Sequence, residues 1–370
     1  MKMLRCVIMR GGTSKGVFFH ENELPQDQEE RKRVILRVLG SPDRRQIDGL
    51  GGADLLTSKV VIIGAPSRKD ADVDYIFGQV GITEPTIDFG TLCGNLSGAV
   101  GPFAIDEGFV RPTEHTTHVR IFCPMVNRYL AAEVEVNEGK AKYEGDFKID
   151  GVPGTGSRIR LDFSGTAGLL TGNILPTGNP KDVFHVEGFG EIEASVVDAG
   201  FVVAFVRAGD LGLSGSESPV DLDRNPAFMK TMEDIRLTIA EKCNLAKKSP
   251  LLPMVAIVQK PVPWKSFVTG ETIRPEDADI LAKLYGARMM HKAYPGTGCV
   301  ATGAAGKIKG TVVNELLSEE QKQKEEFVIG HFSGLMPMEV IGREVNGEFT
   351  LEKAIYYRTA RRIMEGYVYI

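Results

Sequence analysis

Apolar residues fall mostly in short runs separated by glycine, proline and polar turns, the pattern of strands joined by tight loops. Leu4-Arg5-Cys6-Val7-Ile8-Met9 and Val17-Phe18-Phe19 flank Arg10-Gly11-Gly12-Thr13-Ser14-Lys15-Gly16, which predicts a strand, a glycine-rich loop and a second strand. Pro25 precedes residues 26–39, where Val34, Ile35, Val38 and Leu39 fall at helical spacing and Gly40 supplies a C-cap. This predicts a first, peripheral helix. Residues 58–63 and 75–80 read as strands around the polar turn 66–72, and residues 118–123 and 130–136 as further strands.

Residues 91–109 break this pattern, because Thr91-Leu92-Cys93-Gly94-Asn95-Leu96-Ser97-Gly98-Ala99-Val100-Gly101-Pro102-Phe103-Ala104-Ile105-Asp106-Glu107-Gly108 carries no charge apart from its last acidic pair. A helix there must be surrounded by protein on all sides. Each glycine in a helix costs about 1 kcal/mol relative to alanine, so such a helix is held by its surroundings rather than by propensity. Pro176-Thr177-Gly178-Asn179-Pro180 is rich enough in turn formers to separate domains at 1–180 and 181–370. Beyond it the order recurs: strands at 192–197 and 201–206, and a helix from Pro226 to about Leu245 capped by Asn225. Strands at 254–258 and 266–268 follow, then a helix near 275–284.

A second uncharged segment, Tyr294-Pro295-Gly296-Thr297-Gly298-Cys299-Val300-Ala301-Thr302-Gly303-Ala304-Ala305-Gly306, then matches the first. Gly94 and Gly101 stand seven residues apart, as do Gly296 and Gly303. Two related domains, each with a buried glycine-rich helix, are expected.

Composition narrows the function classes. Hydrophobic residues make up 42% and charged residues 25%, which excludes disorder and fibrous repeats, and glycine, 42 of 370 residues, is about 11% against about 7% typically. Basic residues number 44 and acidic 49, for a net charge of −5 with no dense basic block, which argues against nucleic acid and for a small-molecule partner. No apolar run approaches the roughly 20 residues of a membrane helix, and no secretory apolar region follows Met1. A cytoplasmic protein is expected. The five cysteines, Cys6, Cys93, Cys123, Cys243 and Cys299, include no CxxC pair, so neither a disulfide framework nor a zinc site is suggested.

Two side chains invite chemistry. A thiol in the first turn of a helix is favoured as thiolate, and Cys93 occupies that place at the first uncharged segment, with Gly94 and Asn95 leaving the backbone free to meet a carboxylate. The alternative is a buried apolar cysteine. Lys59 is the only cation entering the apolar run of residues 55–63; desolvated, it would serve as a base, and otherwise it snorkels to solvent. Ser14-Lys15-Gly16 lacks the order of a nucleotide P-loop. Gly296-Thr297-Gly298-Cys299-Val300-Ala301 fits GxGxxA, but no proper crossover helix follows, so a dinucleotide is rejected. His115 and His118 fit no metal-site spacing and are expected to face solvent; neither metal nor cofactor is predicted.

Met9-Arg10-Gly11-Gly12-Thr13-Ser14-Lys15-Gly16, Gly40-Ser41-Pro42-Asp43, Gln46-Ile47-Asp48-Gly49-Leu50-Gly51-Gly52-Ala53-Asp54, Thr57-Ser58-Lys59 and Cys93-Gly94-Asn95, in this order, closely resemble the PrpF-type isomerases. The resemblance spans essentially the whole chain. The family includes 2-methylaconitate cis-trans isomerase, 4-oxalomesaconate tautomerase and 3-methylitaconate delta-isomerase.

It implies an α/β (α+β) fold like that of diaminopimelate epimerase. Two pseudo-symmetric domains would each curl a mixed sheet around a central helix, with the active site between them. It further implies Lys59 as catalytic base, Cys93 as the adjacent thiol, and Ser14, Gly94 and Asn95 holding one carboxylate, faced by Gly178, Asn179, Thr297 and Gly298. The second catalytic cysteine of the epimerase relatives is replaced by Pro295, and Cys299 lies too late to stand in for it.

The expected reaction is a cofactor-independent allylic proton transfer on an unsaturated di- or tricarboxylate, shifting or isomerising its C=C bond. Residues 16–20 and 101–108 look nearer the methylitaconate type. The competing readings are an amino- or hydroxy-acid epimerase, which Pro295 disfavours, and a non-catalytic tricarboxylate-binding accessory protein, which the pairing of Lys59 with Cys93 disfavours. Exposed sheet edges in such domains leave a homodimer open.

Overall fold

A computed structural model describes residues 2–245, 252–345 and 347–370. Two compact units divide the chain: Met1–Leu161 with Tyr357–Ile370, and Asp162–Tyr356. The division expected after residue 180 therefore falls after residue 161, and the C-terminus returns to the first unit.

In the first unit β1 (Met3–Gly11) and β2 (Ser14–His20) form an antiparallel hairpin, with Gly11 opposite Ser14. Helix α1 (Gln28–Leu39) follows, capped by the Asp27 side chain, which accepts from Glu30 N, and closed by Gly40 in the left-handed region. Its apolar stripe, Val34, Ile35, Val38 and Leu39, packs on Leu4, Cys6, Val17, Phe19, Val60 and Ile62. At about 1.5–3 kcal/mol per fully buried large aliphatic side chain, this stripe explains why the helix lies down on the sheet rather than standing off it.

Strand β3 (Lys59–Gly64) runs parallel to β2 and antiparallel to β4 (Val73–Val80). Helix α2 (Ser97–Asp106) comes next, then β5 (His115–Cys123) parallel to β4 and β6 (Arg128–Asn137) antiparallel to β5.

The second unit repeats that succession. Strands β7 (Gly190–Ala199) and β8 (Phe201–Arg207) are antiparallel, α3 (Pro226–Lys242) follows with Asn225 as its cap, and β9 (Met254–Gln259) runs parallel to β8. Strand β10 (Ile280–Gly286) is antiparallel to β9; after α4 (Gly296–Lys307), β11 (Glu326–His331) runs parallel to β10 and β12 (Gly334–Val345) antiparallel to β11. Hairpin, helix, hairpin, helix, hairpin is thus the order in both units, which establishes the internal repeat. The last strand, β13 (Ala360–Tyr369), pairs antiparallel with β1; this pairing is why the C-terminus belongs to the first unit.

Both glycine-rich helices are central. Every residue from Ser97 to Ile105 and from Gly296 to Gly306 is buried. A Cβ on Gly101 would come within 2.7 Å of Val134, and one on Gly303 within 2.7 Å of Met338, so the second glycine of each seven-residue pair lets its helix approach a strand that an alanine would push away.

Two elements differ from expectation. Residues 275–284 form a short 3₁₀ turn (Pro275–Asp277) and the start of β10, not a helix. Strand β10 is buried on both faces, so its sequence lacks the alternation that marks a strand. Ser266 opens a turn rather than a strand, its hydroxyl accepting from Val268 N and Thr269 N, and the pairing lies one step earlier at Trp264–Lys265.

Candidate active site

Lys59 opens β3. Its neighbours Val60 and Ile62 pack on the α1 side, so strand alternation turns Lys59 to the opposite face. That face also carries Phe18, whose ring lies 5.5 Å from that of Phe103 in α2. The Lys59 side chain does not snorkel away: the residue is 7% exposed. Its Nζ donates to Gln79 Oε1 at 2.6 Å and sits 4.9 Å from the centroid of Phe77. Gln79 Nε2 in turn donates to the carbonyls of Ser58 (3.0 Å) and Leu55 (3.3 Å). Among the described residues no carboxylate forms an ion pair with Lys59.

Cys93 stands one turn ahead of α2. Its carbonyl accepts from Ser97 N and Ser97 Oγ, both at 2.9 Å, and its Sγ accepts from Leu96 N at 3.5 Å. The thiol is therefore fixed at the helix entrance and buried.

Asn95, in the same turn, donates through Nδ2 to Thr13 Oγ1 (3.0 Å) and accepts at Oδ1 from Arg358 Nε (3.0 Å). A Cβ on Gly98 would lie 3.0 Å from Arg358 Cβ, so the arginine stem crosses the first turn of α2.

The hairpin joins these parts. A Cβ on Gly11 would be 2.6 Å from the Asn95 carbonyl and 3.0 Å from Leu96 Cα, and one on Gly16 would be 2.9 Å from Leu96 Cδ1 and 3.1 Å from the Lys59 carbonyl. Ser14 is directly opposite Gly11 and shares its face, so its side chain turns toward the entrance of α2. The Ser14 hydroxyl is buried and has no hydrogen-bond partner among the described residues. Ser14, Lys59, Cys93, Gly94 and Asn95 are thereby gathered at one place in the first unit.

In the second unit Thr297 and Gly298 lie in the first turn of α4, whose N-cap is Pro295 in extended conformation. Cys299 N donates to the Pro295 carbonyl at 3.0 Å, which keeps Cys299 inside the helix rather than at its mouth. Gly178 and Asn179 lie elsewhere. Their loop is exposed, Asn179 Nδ2 donates to Asp182 Oδ1, and Pro180 lies 3.5 Å from where a Cβ on Gly310 would stand, beyond the last residue of α4. A helix of 12 residues is about 18 Å long, so these two positions are at the other end of α4 from Thr297 and Gly298.

His115 and His118 are exposed on β5, and among the described residues no three His, Cys, Asp or Glu side chains are grouped as ligands.

Gln79, Thr13 and Arg358 escaped the reading of the sequence. Gln79 is the polar residue near the end of an apolar run, and only the Lys59↔Gln79 register reveals its partner. Arg358 lies 263 residues from Asn95, with no local signal at all.

The whole chain, residues 1–370, matches the family described as PrpF protein. The 3-methylitaconate isomerase of Eubacterium barkeri is 48% identical over 372 residues, covering 99% of this chain and 96% of its own. The crystal structure of a methylitaconate-delta-isomerase superposes with a TM-score of 0.88 at 47% identity, covering 100% of this chain and 96% of the other. A hydroxyproline epimerase of Agrobacterium vitis superposes with a TM-score of 0.60 at 13% identity over 99% of this chain and 92% of its own, a likeness of fold that sets the chain in the diaminopimelate epimerase-like class. By sequence over its full length and by its fold, the chain belongs to the PrpF family.

Proposed function

We propose that the protein is an isomerase that moves or isomerises the C=C bond of an unsaturated di- or tricarboxylate of the methylitaconate type, with Lys59 as its base. The supporting observation is the buried Lys59 amine without a carboxylate partner. It shares a sheet face with the unpartnered Ser14 hydroxyl at the entrance of α2. An amine held on this face by an amide oxygen is placed to act as the base, and a buried hydroxyl without a partner wants an acceptor such as a substrate carboxylate.

In the reaction the allylic C–H bond breaks and its proton passes to Lys59 Nζ. The electron pair spreads through the double bond into the adjacent carboxylate as a dienolate, and a new C–H bond forms at the far carbon. The proton returns from Lys59, or the Cys93 thiol gives its own and is restored through solvent as the Lys59 ammonium gives up the proton it took. No electrons are gained or lost overall.

The Ser14 hydroxyl, and the positive end of the α2 dipole beside Gly94 and Asn95, would stabilise the carboxylate that takes up charge. Fixed dipoles there need not reorganise during the step. Thr297 and Gly298 open α4 in the second unit, and the assignment is made for the first unit alone. Gly178 and Asn179, beyond the other end of that helix, are left out of this assignment. The similarity to the Eubacterium barkeri 3-methylitaconate isomerase supports methylitaconate as first choice among the family's substrates. A cytoplasmic location completes the proposal; no helix among the described residues is long and apolar enough to cross a membrane.

Proton NMR in heavy water with methylitaconate, cis- and trans-aconitate, 2-methylaconitate and oxalomesaconate tests it. Deuterium entering an allylic position, or migration of the double bond, is expected with the wild type and not with Lys59→Ala. Exchange that persists undiminished in Lys59→Ala would remove the lysine base from the mechanism.

A further inference from the structure

We propose that Gln79 is a positioning residue for the base, fixing where the lone pair of Lys59 points. The inference rests on the assignment of Lys59 as base. Lys59 and Gln79 are directly opposed in the antiparallel β3–β4 pair, so their side chains share a face, and Nζ donates to Oε1 at 2.6 Å. The amide cannot turn over. Nε2 donates to the Leu55 and Ser58 carbonyls, and a flipped amide would set its oxygen against both of those oxygens.

The consequence for a neutral amine is geometric. It has two N–H bonds and one lone pair about a freely rotating Cε–Nζ bond, and committing one N–H to a fixed acceptor removes most of that freedom. An amide oxygen accepts only, so it cannot donate to the lone pair and mask it, as a hydroxyl at this place could. A carboxylate would instead form an ion pair and keep the proton on Lys59. The amide dipole and the Phe77 ring, 4.9 Å from Nζ, still favour the ammonium once the proton has been taken, without opposing its return as an acid would. The side chain opposite Lys59 therefore has the chemistry that an orientable base requires.

The test compares Gln79→Met, Gln79→Glu and Gln79→Asn with wild type and Lys59→Ala, using heavy-water exchange of methylitaconate and steady-state rates from pH 6 to 10, with folding followed by circular dichroism. Gln79→Met keeps the length and loses the acceptor; kcat is expected to fall ten- to a hundred-fold with KM within two-fold. Gln79→Glu is expected to move the acid limb of kcat/KM upward by a pH unit or more, with activity recovering on the alkaline side. Gln79→Asn retains the amide and withdraws the oxygen by one methylene; it carries the kcat test if the other two do not fold.

A purely structural role would lower the melting temperature of all three and leave the pH profile where it is, and that result overturns the inference. Wild-type-like Gln79 variants beside an inactive Lys59→Ala overturn it alone. An active Lys59→Ala removes the base assignment and this inference together.

Discussion

Arg358 donates through Nε to Asn95 Oδ1 at 3.0 Å, tying a residue from the C-terminal segment to the turn that opens α2. Through Nδ2 the same amide holds Thr13 in the hairpin turn at 3.0 Å. The Asn95 side chain is thus occupied as a clamp.

Asn95→Ala should therefore loosen the site as well as weaken binding. Two part-buried hydrogen bonds are lost, one of them to a guanidinium, at a cost of about 1–3 kcal/mol. Urea unfolding should show this loss, and KM for a dicarboxylate should rise more than kcat falls. An unchanged unfolding midpoint would mean that the clamp bears no load.

Glu107, just past the end of α2, is bound by three partners: Arg5 at 2.6 Å, His20 at 2.7 Å and Arg362 at 2.5 Å. Burial pushes its carboxyl up, but hydrogen bonds from Arg5, Arg362 and His20 outweigh that and hold it down at about 2. A carboxyl depressed in the folded state stabilises it above the ordinary value of 4.5, and that stability drains away as pH falls from 4.5 toward 2. Glu107→Gln should lose about 1–3 kcal/mol at neutral pH, because the charge-assisted hydrogen bonds from Arg5, His20 and Arg362 weaken while both arginines keep Glu365, and should show a flatter decline in acid. Unfolding free energies measured at pH 7, 5 and 3 check both parts; parallel curves for the two proteins would refute the assignment.

Lys283 is a second lysine in an apolar strand, 1% exposed, donating to the Gly215 carbonyl at 3.0 Å with the Phe332 ring 5.0 Å away. It shares a strand face with Tyr285, which reaches Glu233 of α3, so it looks away from α4. Burial pushes its ammonium down from 10.5 to about 8, with Glu217 opposing the fall. Between those values the unfolded chain binds the extra proton, so stability should rise with pH from about 8 to 10.5. Lys283→Met should abolish that rise and leave isomerisation untouched. Urea midpoints at pH 7, 9 and 10.5 provide the measurement, and a wild-type curve flat across the window would contradict it.

Lys283 also bears on how a lysine in an apolar run is read. A lysine in an apolar strand is not by itself a mark of catalysis, since packing tolerates one where a backbone carbonyl and a ring receive it. Lys59 differs by position: it lies on the face that meets α2, beside Ser14 and the Cys93 turn.

The sequence by itself determined whatever depends on neighbours along the chain. The hairpin at Gly11–Ser14, the Gly40 cap of α1, the Asn225 cap of α3, the two uncharged helices and the repeat they announce are all local patterns of period, turn and cap. The family likewise follows from contiguous blocks around Lys59 and Cys93. Tertiary structure alone decided the rest. Strand β10 is buried on both faces and so has no period to read, and Gln79 meets Lys59 only through strand register. Arg358 reaches Asn95 across 263 residues of sequence, the C-terminal strand joins the first unit by pairing with β1, and Pro180, next to Asn179, lies by Gly310. Each of these is a contact between segments distant in sequence, fixed by which surfaces bury one another, and local propensity carries no information about that choice.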